Sequence, residues 1–212
     1  MIQWVYEGAQ SAKLLDRIIV ATDDERIYQA AEKMGAEVQM TSPDHNSGTD
    51  RVGEVAKTLS SSIVINIQGD EPLIRAEMID ALVIALQDES IPMATLAFKV
   101  NDLNFLHENT IVKVVTDNKG YALYFSRSPL PFQATDFFMQ HIGIYAYQKD
   151  ILLSLIQIPS SRLEKTENLE QLRALENGYR IRVLETQFST LHVDSPKDII
   201  QIENFLKKRT ND

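Results

Sequence analysis

The strongest constraint on the fold is the alternation of short apolar runs with amphipathic segments. Arg17–Thr22 and Ile63–Ile67 are short, rich in branched apolar residues, and typical of buried strands. Each run is followed by polar residues and then by a segment with helical periodicity. Strands that alternate with helices form parallel βαβ units, so this half of the chain predicts a doubly wound α/β sheet.

The second half of the chain predicts strands that pair differently. The turn residues Asp117-Asn-Lys-Gly120 separate two apolar runs and are typical of a hairpin, which makes this portion antiparallel or mixed. No repeat or linker divides the chain, so we expect one domain over residues 1–212. The predicted strands are 17–22, 37–40, 63–67, 93–100, 112–116, 121–126, 141–147 and 179–185. The predicted helices are 2–15, 24–34, 49–59, 76–87, 150–156, 166–177 and 196–208.

The composition excludes several classes of protein. Lys plus Arg is 21 and Asp plus Glu is 30, and the net charge of −9 argues against a protein that binds DNA or RNA. Cysteine is absent, which excludes disulfides and thiolate chemistry. The chain has neither an apolar run long enough to span a bilayer nor the start of a secretory signal. We therefore expect a cytoplasmic protein without membrane contact.

Two carboxylates are candidate metal ligands. Asp70 lies in Gln68-Gly-Asp-Glu-Pro72, directly after the strand 63–67, and Asp194 lies just before the helix 196–208. Ligands of open α/β sheets gather at the carboxyl ends of strands, and Mg²⁺ takes one or two carboxylates together with phosphate and water. The alternatives are an ordinary strand-to-helix turn at Asp70 and a helix cap at Asp194.

A polar loop that opens a helix is a candidate nucleotide site. In Asp44-His-Asn-Ser-Gly-Thr-Asp-Arg51, backbone N–H groups after a glycine lie at a predicted helix N-terminus, where anions or nucleotide edges bind. The alternative is a plain capping loop. The segment matches neither the Gly-x-Gly-x-x-Gly pattern nor the P-loop, so those phosphate-binding mechanisms are not supported.

A strand and a helix further along offer polar side chains that suit a hydroxylated acid. His141 and Tyr145 share one face of the predicted strand, and Glu170 and Arg173 are neighbours on the predicted helix. The alternatives are a histidine buried in the core and a surface ion pair between Glu170 and Arg173. For His141 alone we favour the core position.

Two cations are candidates for contact with a carboxylate or a phosphate. Arg127 follows the predicted strand 121–126, and Lys113 lies within the otherwise apolar strand 112–116. An unpaired charge inside such a strand is costly, so we expect Lys113 to reach an edge, a partner or a ligand.

In this order the polar segments resemble the 3-deoxy-manno-octulosonate cytidylyltransferase family, the CMP-Kdo synthetases. The resemblance covers nearly the whole chain, and it implies a Rossmann-like, three-layer nucleotidyltransferase fold with a mixed, mainly parallel sheet and a smaller antiparallel portion for dimerisation. The motifs that carry it are Asp44-His-Asn-Ser-Gly-Thr-Asp-Arg51, Val64-Ile-Asn-Ile-Gln-Gly-Asp-Glu-Pro72, Val112-Lys-Val-Val115, Tyr121-Ala-Leu-Tyr-Phe-Ser-Arg127, His141-Ile-Gly-Ile-Tyr145, Leu169-Glu-Gln-Leu-Arg173 and Val193-Asp-Ser-Pro196.

The resemblance implies a reaction and a homodimer. CTP and the eight-carbon sugar acid Kdo would give CMP-Kdo and pyrophosphate, which activates Kdo for lipopolysaccharide synthesis. The anomeric hydroxyl of Kdo would attack the α-phosphorus in line, with Mg²⁺ as the cofactor that neutralises the phosphates.

The resemblance also assigns residues, motif by motif. Asp70, Asp194 and Arg127 would be catalytic, with Asp70 and Asp194 as the metal carboxylates, while Lys113 matches a family motif without a definite role. The nucleotide side would consist of Ser47, Gly48, Thr49, Arg51 and Asp70. The sugar-acid side would consist of Gln68, Arg127, His141, Tyr145, Glu170 and Gln171.

The chain also departs from the family pattern. The family opens with a strand and a loop containing Arg, Ser and Pro-Gly-Lys that holds the CTP phosphates, and Met1 falls where the helix after this loop begins. Residues 131–140 are short for the family, and Ser189-Thr-Leu-His192 replaces a glycine-containing approach to Asp194. We expect the 212 residues by themselves to have weak or no activity, because phosphate-positioning donors lower much of the barrier.

Two alternative functions follow from these departures. One is a cytidylyltransferase for another sugar acid, such as a sialic acid, although the segments His141–Tyr145 and Glu170–Arg173 favour Kdo. The other is a truncated, inactive relative that binds nucleotide.

Overall fold

The apolar runs form strands and the periodic segments form helices, as the sequence predicts. The computed structural model describes residues 1–45 and 47–190, which contain eight strands and seven α-helices. The strands are β1 (Ile19–Thr22), β2 (Glu37–Met40), β3 (Ile63–Ile67), β4 (Met93–Val100), β5 (Lys113–Thr116), β6 (Ala122–Ser126), β7 (Phe138–Gln148) and β8 (Ile181–Thr186). The helices are α1 (Ile2–Gln10), α2 (Glu25–Lys33), α3 (Gly48–Ala56), α4 (Ala76–Leu86), α5 (Lys149–Leu155), α6 (Arg162–Glu167) and α7 (Gln171–Glu176).

The strand β7 organises the larger of two sheets. It pairs antiparallel with β4 along one edge, while β5 and β3 pair with successive parts of its other edge. Both β3 and β4 oppose β7, so they run in the same direction, and β8 joins β4 in parallel. The strands β1 and β2 form a separate parallel pair, and β6 completes the antiparallel hairpin with β5. The expected mixed α/β fold is confirmed.

Side chains alternate between the two faces along each strand, so both faces of the larger sheet present apolar side chains. Helices cover both faces. On one face, Leu96, Ile144 and their neighbours pack in one apolar cluster with residues of α1 and α4. On the opposite face, Met93 and Tyr147 pack in a second cluster with residues of α3, α5 and α7. The candidate residues of β7, His141 and Tyr145, lie on this second face, which we call the α7 face.

Several sequence predictions are wrong in detail. One helix was expected over residues 166–177, but α6 and α7 are separated at Asn168, which has a left-handed backbone with φ 55°. The left-handed backbone of Asn168 ends α6, and the chain turns before α7 begins. The helix α3 begins at Gly48 and ends at Ala56, whereas 49–59 was predicted, because the Ser47 hydroxyl caps it by accepting a hydrogen bond from an N–H group of the first turn.

Other differences concern lengths and regions. The strand β7 extends beyond the predicted 141–147 at both ends, and a 3₁₀ helix over Leu103–His107 was not expected. The predicted helix 196–208 lies outside the described residues, so one domain over 1–212 stays a prediction. In the described part of the chain, no helix has the length and apolar character needed to cross a bilayer.

The left-handed residue between α6 and α7 gives a test of the fold. The variant Asn168→Ala should lower the free energy of unfolding by about 1 kcal/mol, because a Cβ atom is unfavourable in the left-handed region and alanine lacks the short polar side chain with which asparagine offsets this cost. The control is Asn168→Gly, because glycine adopts this conformation freely. Urea unfolding measures both variants, and equal stability of the alanine and glycine variants would contradict the assignment.

Candidate active site

The amino end of α3 lies beside the turn that follows β3. A Cβ atom added to Gly48 would lie 3.0 Å from the side-chain oxygen of Gln68, so only glycine permits this approach without a shift. The Ser47 hydroxyl caps the helix by accepting a hydrogen bond from the Asp50 N–H at 3.1 Å. Two predicted nucleotide residues, Ser47 and Gly48, therefore lie next to a predicted sugar-acid residue, Gln68.

A hydrogen bond joins the α3 segment to the start of α7. The Thr49 hydroxyl donates to Oε2 of Glu170 at 2.6 Å, and the Asn66 side-chain amide lies 3.5 Å from the same hydroxyl. Both Asn66 and Thr49 are buried. A predicted nucleotide residue and a predicted sugar-acid residue, 121 positions apart in sequence, are thus in direct contact.

The Arg51 side chain connects α3 with the ends of two strands. Its guanidinium forms an ion pair with Asp23 at 3.0 Å and donates to the Thr41 hydroxyl and to the Ser42 carbonyl oxygen. These partners follow β1 and β2. The described contacts of Arg51 therefore hold the strand ends against α3, and any contact with a nucleotide stays a prediction.

The loop after β2 is fastened to the same helix. The Glu54 carboxylate accepts from the Ser42 N–H at 3.1 Å and contacts the His45 ring. The hydrogen bond with His45 holds the pKa of Glu54 below its usual value. The loop thus has a charged anchor on α3 in addition to the Ser47 cap.

A small cavity on the α7 face lies between Thr49 and the start of α7. Its lining includes Tyr145, Glu170 and Gln171. Burial raises the pKa of Tyr145 well above the usual value, so its hydroxyl stays protonated and can donate or accept a hydrogen bond. The side-chain nitrogen of Gln171 is buried and has no hydrogen-bond partner within 1–45 and 47–190. This amide is a donor available to a ligand.

The predicted residue His141 lies deeper in the sheet. It is buried with only 4% of its surface exposed, and its Nε2 is 3.0 Å from the Thr95 hydroxyl. The rings of Phe125 and Tyr145 pack against it at centroid distances of 5.0 and 5.4 Å. This placement fits the core position that the sequence favoured for His141 alone.

The residue Arg127 lies at the end of β6, where Glu167 fixes the local backbone. The Glu167 carboxylate accepts from the Arg127 N–H at 3.2 Å and from the Ser126 hydroxyl at 2.9 Å. The Arg127 guanidinium donates to the carbonyl oxygens of Asn109 and Glu167. Its partners in the described residues are therefore carbonyl groups, and the guanidinium keeps further donors for an anion.

The ammonium group of Lys113 is held by backbone carbonyl groups. It is fully buried, and its ammonium group donates to the carbonyl oxygens of Glu108, Ile111 and Arg127. Burial lowers the pKa of Lys113, because water no longer solvates the charge. Its partner is thus the protein backbone, and through Arg127 it fixes the end of β6.

The residue Arg173 differs from the expectation of a surface ion pair with Glu170. It is buried and makes two hydrogen bonds to Glu164, at 2.9 and 2.6 Å, and one to Asp50 at 3.2 Å. The hydrogen bonds with Glu164 raise the pKa of Arg173, so it is always charged. In the structure Glu170 is the N-cap residue of α7 and Arg173 lies within the helix. Their spacing in the sequence did not identify the residues that they contact.

The carboxylate Asp70 lies half-buried in the turn after β3 and makes no hydrogen bond or ion pair with the other described residues. Its neighbour Glu71 is fully buried and accepts a hydrogen bond from the Gly143 N–H at 3.1 Å, which ties the turn to β7. The Asp70 carboxylate lies in a turn that Glu71 ties to β7, and this position suits Mg²⁺, which needs only one or two protein carboxylates. No group of three or more metal-ligating side chains occurs in the described residues, and Asp194 lies outside them.

Sequence reasoning missed several residues of this site. Asn66 is a polar residue inside an apolar strand, and that irregularity was a signal that could have identified it. Glu164 also had a local signal, because Ser161-x-x-Glu164 is the pattern of a capping box. The roles of Asp50, Glu71 and Glu167 left no such signal, because each depends on a partner far away in the chain.

The three carbonyl contacts of Lys113 predict a large loss of stability on substitution. The variant Lys113→Met should lower the free energy of unfolding by at least about 2 kcal/mol, because unsatisfied buried groups cost roughly 1–3 kcal/mol each. The matched control is Lys99→Met, an exposed lysine of β4, with an expected change within about 0.5 kcal/mol. Chemical denaturation measures both, and similar losses in the two variants would disprove the structural role.

Comparisons with known proteins identify the family of the chain. Residues 1–182 match the cytidylyltransferase family model. The chain is 50% identical over 212 residues to the 3-deoxy-manno-octulosonate cytidylyltransferase of Solibacter usitatus, covering 98% of this chain and 84% of that protein. The corresponding protein of Geobacter sulfurreducens is 44% identical over 222 residues, covering 98% and 89%.

Solved structures give the same result. A CMP:2-keto-3-deoxy-manno-octonic acid synthetase complexed with CTP superposes with a TM-score of 0.92 at 38% identity, covering 98% of this chain and 88% of that chain. HddC from Yersinia pseudotuberculosis, with a TM-score of 0.67 at 13% identity, shares the fold alone. The chain belongs to the 3-deoxy-manno-octulosonate cytidylyltransferase family.

Proposed function

We propose that this protein transfers CMP from CTP to 3-deoxy-D-manno-octulosonate (Kdo), releasing pyrophosphate and providing CMP-Kdo for lipopolysaccharide synthesis. The observation that carries the proposal is the hydrogen bond between Thr49 and Glu170. It joins the segment assigned to the nucleotide with the segment assigned to the sugar acid, as a transfer between two bound substrates requires. The names of the similar proteins support the choice of CTP and Kdo.

The described residues would act mainly by positioning. The backbone at Ser47 and Gly48 would hold the nucleotide at the amino end of α3, where N–H groups favour an anion or a nucleotide edge. The amide of Gln171 would donate to the sugar acid, and the guanidinium of Arg127 would neutralise its carboxylate. The anomeric oxygen would then form a bond to the α-phosphorus as the bond to pyrophosphate breaks, and holding both in line lowers the barrier.

The position of Asp70 supports Mg²⁺ as the cofactor in this proposal. Asp70 would hold the ion at the end of β3, beside Gln68 and the amino end of α3. The second ligand, Asp194, lies outside the described residues and stays a prediction from the resemblance. When bound, Mg²⁺ would neutralise charge on the transferred phosphate and the leaving pyrophosphate. The proposal also includes a cytoplasmic location, where CTP is available.

The test is pyrophosphate release from CTP with Kdo and Mg²⁺. The variant Asp70→Asn should release pyrophosphate at least roughly 100-fold more slowly, because transition-state charge stabilisation is lost. The matched control is Asp150→Asn, which changes an exposed first-turn carboxylate of α5 and should leave the rate unchanged.

Three results would count against the proposal. Absence of release both from these 212 residues and from a chain extended at its N-terminus with the family's phosphate loop would favour an inactive, nucleotide-binding relative. Release with a sialic acid in preference to Kdo would favour the alternative sugar acid. An unchanged rate in Asp70→Asn would remove this carboxylate from the mechanism.

We also propose a homodimer, which the family resemblance implies. The strand β6 is the outer strand of the larger sheet, and its Leu123 side chain is 63% exposed. Phe132, in the loop that follows, is 82% exposed. By contrast, Ile142 and Ile144 of β7 are fully buried. Exposed apolar side chains on an edge strand suit pairing with a second copy.

The interface can be tested with one charged substitution. The parent protein should sediment at about twice the mass of the chain, and Leu123→Lys should shift it to the monomer, because burying the ammonium group is costly. The matched control is Ile84→Lys, a 57% exposed apolar residue on α4, which should stay dimeric. A dimer that persists in Leu123→Lys would place the interface elsewhere.

A further inference from the structure

We infer that Arg173 is a positioning residue that makes nucleotide binding and sugar-acid binding depend on each other. The inference rests on the proposed function, because it uses the two substrate segments assigned there. It concerns residues with no assigned role in either segment, namely Arg173, Asp50 and Glu164.

The geometry is a double contact between two helices. Thr49 and Asp50 are consecutive residues in the first turn of α3, and each contacts a different residue of the α7 segment. Thr49 donates to Glu170 at 2.6 Å, and Arg173 donates to Asp50 at 3.2 Å. Glu170 and Arg173 lie about one helical turn apart, so the first turn of α3 is held at two points and can neither slide nor rotate against α7.

The α7 side of this contact is itself fixed. Two N–H groups of Arg173 donate to the two carboxylate oxygens of Glu164, at 2.9 and 2.6 Å, and Nη1 also donates to the Ile158 carbonyl oxygen. Glu164 belongs to the capping box at the start of α6, together with Ser161. These contacts fix the orientation of the guanidinium plane, and Nη1 also donates to the Asp50 carboxylate.

Burial makes the ionic contact strong enough to link the two segments. The side chains of Arg173, Glu164 and Asp50 are only 7%, 10% and 17% exposed, so water and salt screen their interaction weakly. Moving α3 away from α7 would separate the Asp50 carboxylate from its cation at a site where their attraction is weakly screened. Such a separation is costly, and α3 and α7 are expected to move as one body.

A substrate that orders one segment should therefore order the other. The nucleotide is assigned to Ser47 and Gly48, directly before the two clamped residues, and the sugar acid is assigned to Glu170 and Gln171 at the start of α7. Because α3 and α7 move as one body, a ligand that fixes the position of one segment also fixes the other, and the second ligand meets a segment that is already in place. Thermodynamic linkage requires the effect to be equal in both directions.

The experiment measures this coupling with ligands that do not react. Isothermal calorimetry gives the dissociation constant of CMP alone and with saturating Kdo, and CMP has no pyrophosphate to lose. In the parent chain, Kdo should tighten CMP binding by a factor of about 5 or more. In Asp50→Asn, this factor should fall to within about 2-fold of unity, since neutral Asn holds the guanidinium less well than the carboxylate does.

The variants separate positioning from a general loss of structure. Asp50→Asn leaves the Arg173–Glu164 pair intact, so the affinity for Kdo alone should stay within about 2-fold of the parent value. Asp50→Glu restores the carboxylate and should restore most of the coupling. Glu77→Gln, which removes an exposed first-turn carboxylate of α4, should retain the full factor.

Distinct outcomes refute distinct claims. Full coupling in Asp50→Asn, or a coupling factor of unity in the parent chain that binds both ligands, would overturn the positioning role of Arg173. A parent chain that binds neither CMP nor Kdo would refute the proposed function itself, and the inference would fall with it. Coupling that is lost in Asp50→Asn and recovered in Asp50→Glu would establish the inference.

Discussion

The antiparallel strand β7 is the element on which the rest of the structure depends. It pairs with β4 along one edge and with β5 and β3 along the other, so strands from the first and second halves of the chain meet on it. Its alternating side chains supply the apolar cluster under α4 and the aromatic residues of the α7 face. The same strand fixes the turn that carries Asp70, because the Gly143 N–H donates to Glu71.

The polar residues of the α7 face are buried, and burial decides how they must be arranged. A buried polar group without a partner is costly, so each one acquires contacts that also fix its position. Thr49 contacts Glu170, and Arg173 contacts Glu164 and Asp50. The side-chain nitrogen of Gln171 is an exception in the described part of the chain, and it lies in the cavity where a ligand would supply the acceptor.

The sequence predicts the strands better than it predicts the polar contacts. The bounds of β2, β3 and β4 agree with the predicted 37–40, 63–67 and 93–100, because short apolar runs between turn residues are local signals. The amino end of α3 and the turn after β3 were also identified as site segments from local patterns. Arg173 was placed on the right helix with the wrong partner, because spacing along one helix contains no information about Asp50, 123 residues away.

The break between α6 and α7 is where local and tertiary requirements conflict, and the tertiary requirement prevails. A continuous helix over residues 166–177 would leave Glu167 and Glu170 about one turn apart on a single face. The left-handed Asn168 reorients the chain between them. As a result Glu167 reaches the end of β6 at Arg127, while Glu170 reaches Thr49 on α3.

Both contacts involve residues assigned to the substrates, so the break gives one short segment access to two sides of the site. Asparagine is among the few residues other than glycine that adopt the left-handed conformation at low cost. The positions of the Glu167 and Glu170 carboxylates therefore depend on the left-handed conformation of Asn168. A local irregularity in the helical pattern is what allows the sugar-acid segment to contact the nucleotide segment.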